Sequence, residues 1–404
     1  MILSKQYIPA RVRALLVWLV WALVLASVPA CTAKEQQSAG DASSAPSADV
    51  AYPVQVHHAT GFKLTGHQDY QILEVGFPQA GDTVTRFLLY PKGTEPPQIQ
   101  QPYRAAIPVP VQRVACMSTT EVGALPLLGK SEALVGATSL HNINSPEVKA
   151  LIDAGRVTEI GQGMQQDMEQ IVQLHPDVLL QDGSYFTDKT RELYPLGINA
   201  VPIENWKEEN PLARAEWIKV MGALLGVNGR ADSLFRDIEA RYVRAKHLIP
   251  AGTPAVEIMY GEDYKGMWNL PGEHSYITAL FRDAGIQFES VPDATQSLPV
   301  NFEYVFSRHR HNRLWLVMQV AQVRTVGEFL RLNEHYKHFD ATGPDGQVWV
   351  NTKRINPFGG NDYWESALYH PDLLLQDLIK IAHPHLLPDY ETVYWIKLKP
   401  MARR

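Results

Sequence analysis

The stretch DMEQIVQLHPDVLLQDG, Asp167 to Gly183, decides the fold class. Asp167 is placed to cap the first exposed amides of a short helix whose apolar face is Ile171, Val172 and Leu174. His175 and Pro176 end that helix. Val178, Leu179 and Leu180 then make a continuous apolar run, the pattern of a parallel strand covered on both faces. Folding accounts for every residue here except Glu169, and an acid in a first helical turn is by itself only a favourable charge on the dipole.

Working outward, β-type and helical segments alternate from Val109 onward, which implies parallel strands with crossover helices. VPVQRVACMS predicts the first strand, followed by a helix near Thr119 to Leu128. SPEVKALIDAG predicts another, with Ser145 as cap, Pro146 in the first turn and Gly155 at the exit. A helix near Asp188 to Tyr194 and the strand NAVPI complete one α/β lobe over residues 106–210. Residues 211–250 read as helical: PLARAEWIKVMGALLG, then a pattern from about Gly229 to Leu248, whose 20 residues span about 30 Å and can bridge two bodies. A second α/β lobe over 251–404 begins at AVEIMY and includes a helix near Tyr276 to Ala284, the strands LWLVM and VWV, and the helix PDLLLQDLIKI.

Before the first lobe the composition changes twice. Lys5, Arg11 and Arg13 precede the 17-residue apolar run ALLVWLVWALVLASVPA, which falls short of the roughly 20 residues of a spanning helix and ends at Cys31. Residues 1–31 are therefore expected to be an export signal. Residues 32–50 lack apolar bulk and read as a tether. Residues 51–105 hold YQILEVGF and TVTRFLLY, two β-type segments around the turn-rich PQAGD, and form a β-rich extension with a hairpin.

Charge and composition narrow the function. Lys and Arg are outnumbered 37 to 43 and form no basic stripe, so no nucleic-acid partner is expected. Walker loops, GxGxxG turns, a GxSxG elbow and an obvious pair of catalytic acids are absent from the sequence, which disfavours an enzyme. Of the two cysteines, Cys116 lies in an apolar strand and reads as a small core hydrophobe, so stability must come from a large core rather than a disulfide.

The order of lobe, long helix and lobe behind an export signal, with VPVQRVACMSTTEVGALPLLG, SPEVKALIDAGRVTEIGQG, DMEQIVQLHPDVLL, PLARAEWIKVMGALLG and MWNLPGEHSYITALFRDAG in sequence, resembles the helix-bridged class of solute-binding proteins of ABC importers for iron chelates, haem and cobalamin. The resemblance implies two Rossmann-like lobes joined by one long helix, with the ligand between them. VPAC resembles a lipoprotein lipobox, with Val28 and Pro29 departing from its usual residues, and implies a lipid anchor on Cys31. In that family each lobe presents a glutamate at a helix start to arginines of a dimeric permease. Glu169 matches the first. Glu303 in VNFEYVFSRHRHNRLWLV matches the second, with two extra residues and basic side chains in place of the usual proline and aspartate.

Ligand contacts are expected in the loops that leave the carboxyl ends of the strands: Ser118, Thr119, Tyr185, Phe186 and Trp206 in the first lobe, Tyr260, Tyr264, Trp268, Tyr276, Arg354, Phe358, Tyr363 and Trp364 in the second. Such an aromatic set suits a large, flat ligand. His309 and His311 in SRHRHNR read as a solvated basic loop, and His141, His274, Tyr185 or Tyr264 are the residues able to ligate a haem iron. The expectation is a monomeric, lipid-anchored extracytoplasmic receptor without a catalytic cofactor, whose cargo is a siderophore, haem or cobalamin. The alternative is a lipoprotein enzyme acting on a cofactor or glycan.

Overall fold

The computed structural model describes residues 52–401 apart from 79–80, 82, 164, 184–187 and 319–321, and the side chains of 188 and 189. The export signal, the tether, Cys31, Tyr185 and Phe186 lie outside the described residues. Among the described residues no helix is long and apolar enough to cross a membrane.

The extension is a four-stranded sheet, β1 (Phe62–Gly66), β2 (Gln71–Val75), β3 (Thr85–Pro91) and β4 (Ala105–Val109), in that order. The hairpin expected from YQILEVGF and TVTRFLLY is the antiparallel pair β2–β3, while β4 lies parallel to β3. Leu73, Phe87, Leu89 and Ile107 are fully buried and continuous with the main core.

In the first lobe β5 (Val114–Cys116), β6 (Leu134–Ala137), β7 (Thr158–Glu159), β8 (Val178–Gln181) and β9 (Asn199–Pro202) form one parallel sheet in the order β9-β8-β5-β6-β7. The strand order reverses between β5 and β8, and the crevice at their carboxyl ends is where such sheets bind ligands. The opening stretch explains this sheet: Val178, Leu179 and Leu180 are fully buried because β8 pairs on both edges and is covered on both faces. Helices α1 (Thr119–Val122), α2 (Pro146–Asp153) and α3 (Met168–Leu174) follow β5, β6 and β7. The single helix expected over Thr119 to Leu128 breaks at Gly123, whose Cβ position would lie 2.0 Å from the carbonyl oxygen of Glu365 in the other lobe. Val172 also departs from expectation. It is 38% exposed, so Ile171 alone is the fully buried residue of α3.

The helical segment comprises α4 (Pro211–Glu216), α5 (Ile218–Leu224) and the 19-residue α6 (Asn228–Lys246), which joins the lobes. Asn210 caps α4 through the amide of Ala213, as Pro211 in the first turn requires. The extension is fastened here: Glu216 accepts the amides of His57, His58 and Ala59, Glu208 accepts those of Thr60 and Gly61, and buried Lys219 donates to Glu216 at 2.8 Å. Burial opposes the charge of Glu216, but Lys219 and these amides more than offset it and hold the carboxyl below the usual range.

In the second lobe β10 (Val256–Glu257) and β11 (Met259–Tyr260) interrupt the expected strand AVEIMY into two pieces. β10 pairs with β12 (Ile286–Gln287), and β11 pairs with β13 (Leu314–Val317), which continues to β14 (Gln347–Val350) and antiparallel β15 (Ile396–Lys397). β11 is the edge strand of this sheet, and β10 and β12 form a separate parallel pair. Helices α7 (Tyr276–Asp283), α8 (Phe302–His309), α9 (Asp362–Glu365) and α10 (Pro371–Ala382) complete the lobe. α6 packs along α5 and α10, and Arg241 of α6 bonds Asp372 of α10 at 2.6 Å.

Two sequence expectations are corrected in this lobe. Trp268 stands in a strand, Met267–Leu270, and is fully buried against Trp315 with ring centroids 5.8 Å apart. It is a core residue, because its strand alternates faces and sends Trp268 and Leu270 inward. His309 does not belong to a solvated loop: it is the buried last residue of α8 and bonds Glu289.

Candidate functional site

The residues after β5 and those after β14 belong to different lobes and meet at the seam between them, where α1 lies against α9. After β5, Ser118 accepts the amide of Thr120 and caps α1. Ser118 and Thr119 are half-buried, and Glu121 is buried with its Oε2 unpartnered. Burial pushes the Glu121 carboxyl up to about 8, with Asp182 after β8 adding repulsion against its amide and Ser118 hydrogen bonds. The residue is thus held protonated at neutral pH.

On the opposite wall, half-buried Tyr260 ends β11 and Tyr276 opens α7 after the Ser275 cap. Tyr363 opens α9 beside Trp364, their rings 5.0 Å apart and at 75°. Burial raises the phenol of Tyr260, with Tyr276 adding to the effect, and burial also raises Tyr363, with Tyr276, Tyr260 and Arg214 in range. Glu262, just beyond Tyr260, is pushed up to about 7 by burial and by Asp263. The guanidinium of Arg214 in α4 lies 3.8 Å from the ring centre of Tyr276.

The structure therefore brings Tyr260, Tyr276 and Tyr363 together, and Ser118, Thr119 and Trp364 along the same seam: the Thr120 hydroxyl donates to the carbonyl of Trp364 at 2.9 Å. Trp206, at 41% exposure after β9, carries Lys207 over its ring. Arg354 is exposed and paired with Asp362 at 2.9 Å. Tyr264 and Phe358 are exposed on loops or short strands of the second lobe, at 65% and 74%. Trp268 does not reach the seam, but its indole N–H donates to the carbonyl of Tyr260 at 2.8 Å and so supports a residue that does.

Arg214, Glu121, Glu262 and Tyr369 were missed. The signal for two of them was present: Arg214 is one of two charges in the largely apolar helix start PLARAEW, and Glu121 stands two residues after Thr119. Only folding reveals that both lie at the seam, where burial of Tyr369 combines with the fields of Glu121, Cys116 and Arg214.

The lobes also touch directly. Glu365 of α9 accepts the amides of Asn144 and Ser145, the latter at 2.8 Å, and Asn356 donates to the carbonyl of His141 at 3.0 Å. For metal binding, exposed Glu273, His274 and Asp293 hold donor atoms within 4.8 Å of one another, while His141 is exposed and His58 is paired with Glu239. Cys116 is a free, fully buried thiol in β5, raised well above its ordinary range by burial and by Glu121.

Glu169 and Glu303 occupy matching local positions. Each is the exposed second residue of its helix, behind a capping carboxylate or amide: Asp167 accepts from Gln170, and Asn301 from Tyr304.

The profile of the periplasmic binding protein family matches residues 114–348. An uncharacterized lipoprotein of Methanocaldococcus jannaschii is 23% identical over 302 residues, 72% of this chain and 70% of its own. A second from that organism is 26% identical over 360 residues, 85% and 87% of the two chains. Among solved structures, the fold is similar to a periplasmic heme binding protein from Pseudomonas aeruginosa, with TM-score 0.55, 16% identity and coverage of 72% of this chain and 100% of that one. It is also similar to the triscatecholate siderophore binding protein FeuA from Bacillus subtilis complexed with ferri-bacillibactin, with TM-score 0.52, 17% identity and coverage of 69% and 94%. At these identities the likeness speaks for the fold.

Proposed function

We propose, since this chain belongs to the periplasmic binding protein family, that it is the extracytoplasmic binding lipoprotein of an ABC importer, and that it captures an iron chelate (siderophore or haem) or cobalamin between its lobes. The observation that carries this reading is the meeting of the two lobes at one seam beside the order reversal of the first-lobe sheet, with Ser118, Thr119, Tyr260, Tyr276, Tyr363 and Trp364 around it. Trp206 and Arg354 extend the same wall in this reading, and Tyr185 is a candidate contact from the sequence alone. The sequence division into signal, tether, β extension, two lobes and a helical joint is part of the proposal, with Cys31 as the lipidated residue. The lipoprotein names of both Methanocaldococcus relatives support it.

Delivery needs a partner. Glu169 and Glu303 would set the register of docking on a permease dimer. Rim ion pairs contribute only about 0 to 1 kcal/mol each, so their role is orientation and approach rate rather than holding strength. The single joining helix, together with the direct contacts between Glu365 and the first lobe, restricts the opening of the lobes and favours a preformed cleft.

The test is recovery of the protein from its native membranes, followed by mass and absorbance spectra of the bound ligand and titration with a siderophore, haem and cobalamin panel. Unchanged ligand in a one-to-one complex supports the receptor. Turnover of the ligand would make it an enzyme and refute the proposal.

A further inference from the structure

Among the described residues most buried and half-buried cations are compensated, the half-buried ammonium groups of Lys130 and Lys149 excepted. Lys219 has Glu216 at 2.8 Å, Lys207 has Glu204 at 3.0 Å, and Arg241 has Asp372 at 2.6 Å. Half-buried Arg324 has no such carboxylate but spreads its guanidinium over the carbonyls of Val323 and Thr352 and the Thr352 hydroxyl. Arg214 is different. Half-buried at the seam, it has among the described residues one long hydrogen bond, 3.5 Å to Asn205 Oδ1, no ion pair, and a buried Nε without a partner.

A guanidinium withdrawn from water without a counter-charge is costly, and its planar fork of five donors matches carboxylate, catecholate and phosphate oxygens. The face of Tyr276, 3.8 Å away, holds the plane of the fork while leaving its edge donors unused. Glu121 at the seam does not supply the missing anion, since burial first holds it up to about 8 and largely protonated near neutrality. Arg214 consequently keeps unused donors at the seam.

We infer that Arg214, oriented by Tyr276, is the anion-binding element of the seam and that the cargo is a chelate bearing anionic oxygen groups. This rests on the receptor reading and narrows it: haems with free carboxylates and anionic ferric siderophores fit, whereas uncharged chelates do not.

Matched probes test it on the full folded protein: iron protoporphyrin with free carboxylates against its dimethyl ester, and an anionic ferric triscatecholate against an uncharged ferric trihydroxamate. Titration of the unmodified protein should favour the anionic member of at least one pair. Arg214→Gln should weaken that member by about ten- to a hundredfold, the loss of a charge-assisted contact, and abolish the preference. Arg214→Lys should restore only part of it, because an ammonium lacks the planar fork. Circular dichroism and melting of each variant separate lost folding from lost binding, and the preference of the unmodified protein needs no variant at all. If the uncharged probes bind as tightly as the anionic ones and Arg214→Gln changes nothing, the inference is overturned while the receptor reading stands. If no probe binds, both fall.

Discussion

Glu365 of the second lobe accepts the backbone amide of Ser145 in the first at 2.8 Å, and the same carboxylate takes the amide of Asn144. Ser145 in turn caps α2 through Val148, so one buried acid ties the start of a first-lobe helix to α9. Glu365→Ala should destabilise the protein by about 1–3 kcal/mol by leaving amides unpaired at the seam, measured by urea denaturation. Glu365→Gln, which keeps one acceptor, should lose less.

Gly123 tests the same seam sterically. An added Cβ would stand 2.0 Å from the Glu365 carbonyl, a backbone atom that no rotamer change can remove. Gly123→Ala should lower the melting temperature and enlarge the radius of gyration in small-angle scattering. An unchanged scattering curve at unchanged stability would mean that the lobes do not close on each other here.

Acid–base behaviour gives a third expectation. The Glu121 carboxyl ionises near 4.5 in the unfolded chain but at about 8 when folded, because burial dominates. Between those values the folded state binds one more proton than the unfolded state, so this group makes stability fall with rising pH by about 1.4 kcal/mol per unit, and adds no slope outside the window. Glu121→Gln should remove that slope and be more stable than the parent at pH 8, as chemical denaturation at several pH values would reveal.

Removing one partner of the buried pair between Lys219 and Glu216 should be severe. Glu216→Ala leaves three amides of the extension without their acceptor and the buried Lys219 ammonium with only Asp232 at 3.4 Å and the Gln55 carbonyl, and the expected loss is about 3 kcal/mol, the low end for a broken buried pair. Protease sensitivity confined to residues 52–61 would be the accompanying sign.

Charge reversal separates docking from binding. Glu169→Arg and Glu303→Arg lie on exposed first turns, so ligand affinity should stay within about twofold while uptake in cells falls by tenfold or more, the scale of a lost desolvated charge contact. A parallel loss of affinity would remove both residues from the docking assignment.

Much of the fold was legible along the chain because its signals are local. The apolar run Val178 to Leu180, the Ser145–Pro146 start and the 19-residue α6 all announce themselves through periodicity and capping. The site was legible in part. Tyr260, Tyr276 and Tyr363 follow strands or open helices, and strand ends are where such sheets bind. Trp268 follows the same rule and fails it, since the strand that carries it turns its ring into the core against Trp315.

The chain by itself determined the α/β alternation, the long joint and the two first-turn glutamates, since each depends on residues within a few positions of one another. Only the tertiary structure decided which charges are compensated. Arg214 and Tyr276 stand 62 positions apart. Glu365 meets Ser145 across 220. Whether a side chain keeps a partner, loses its water or shifts its protonation depends on what the other lobe brings to it, and neither spacing nor composition records that.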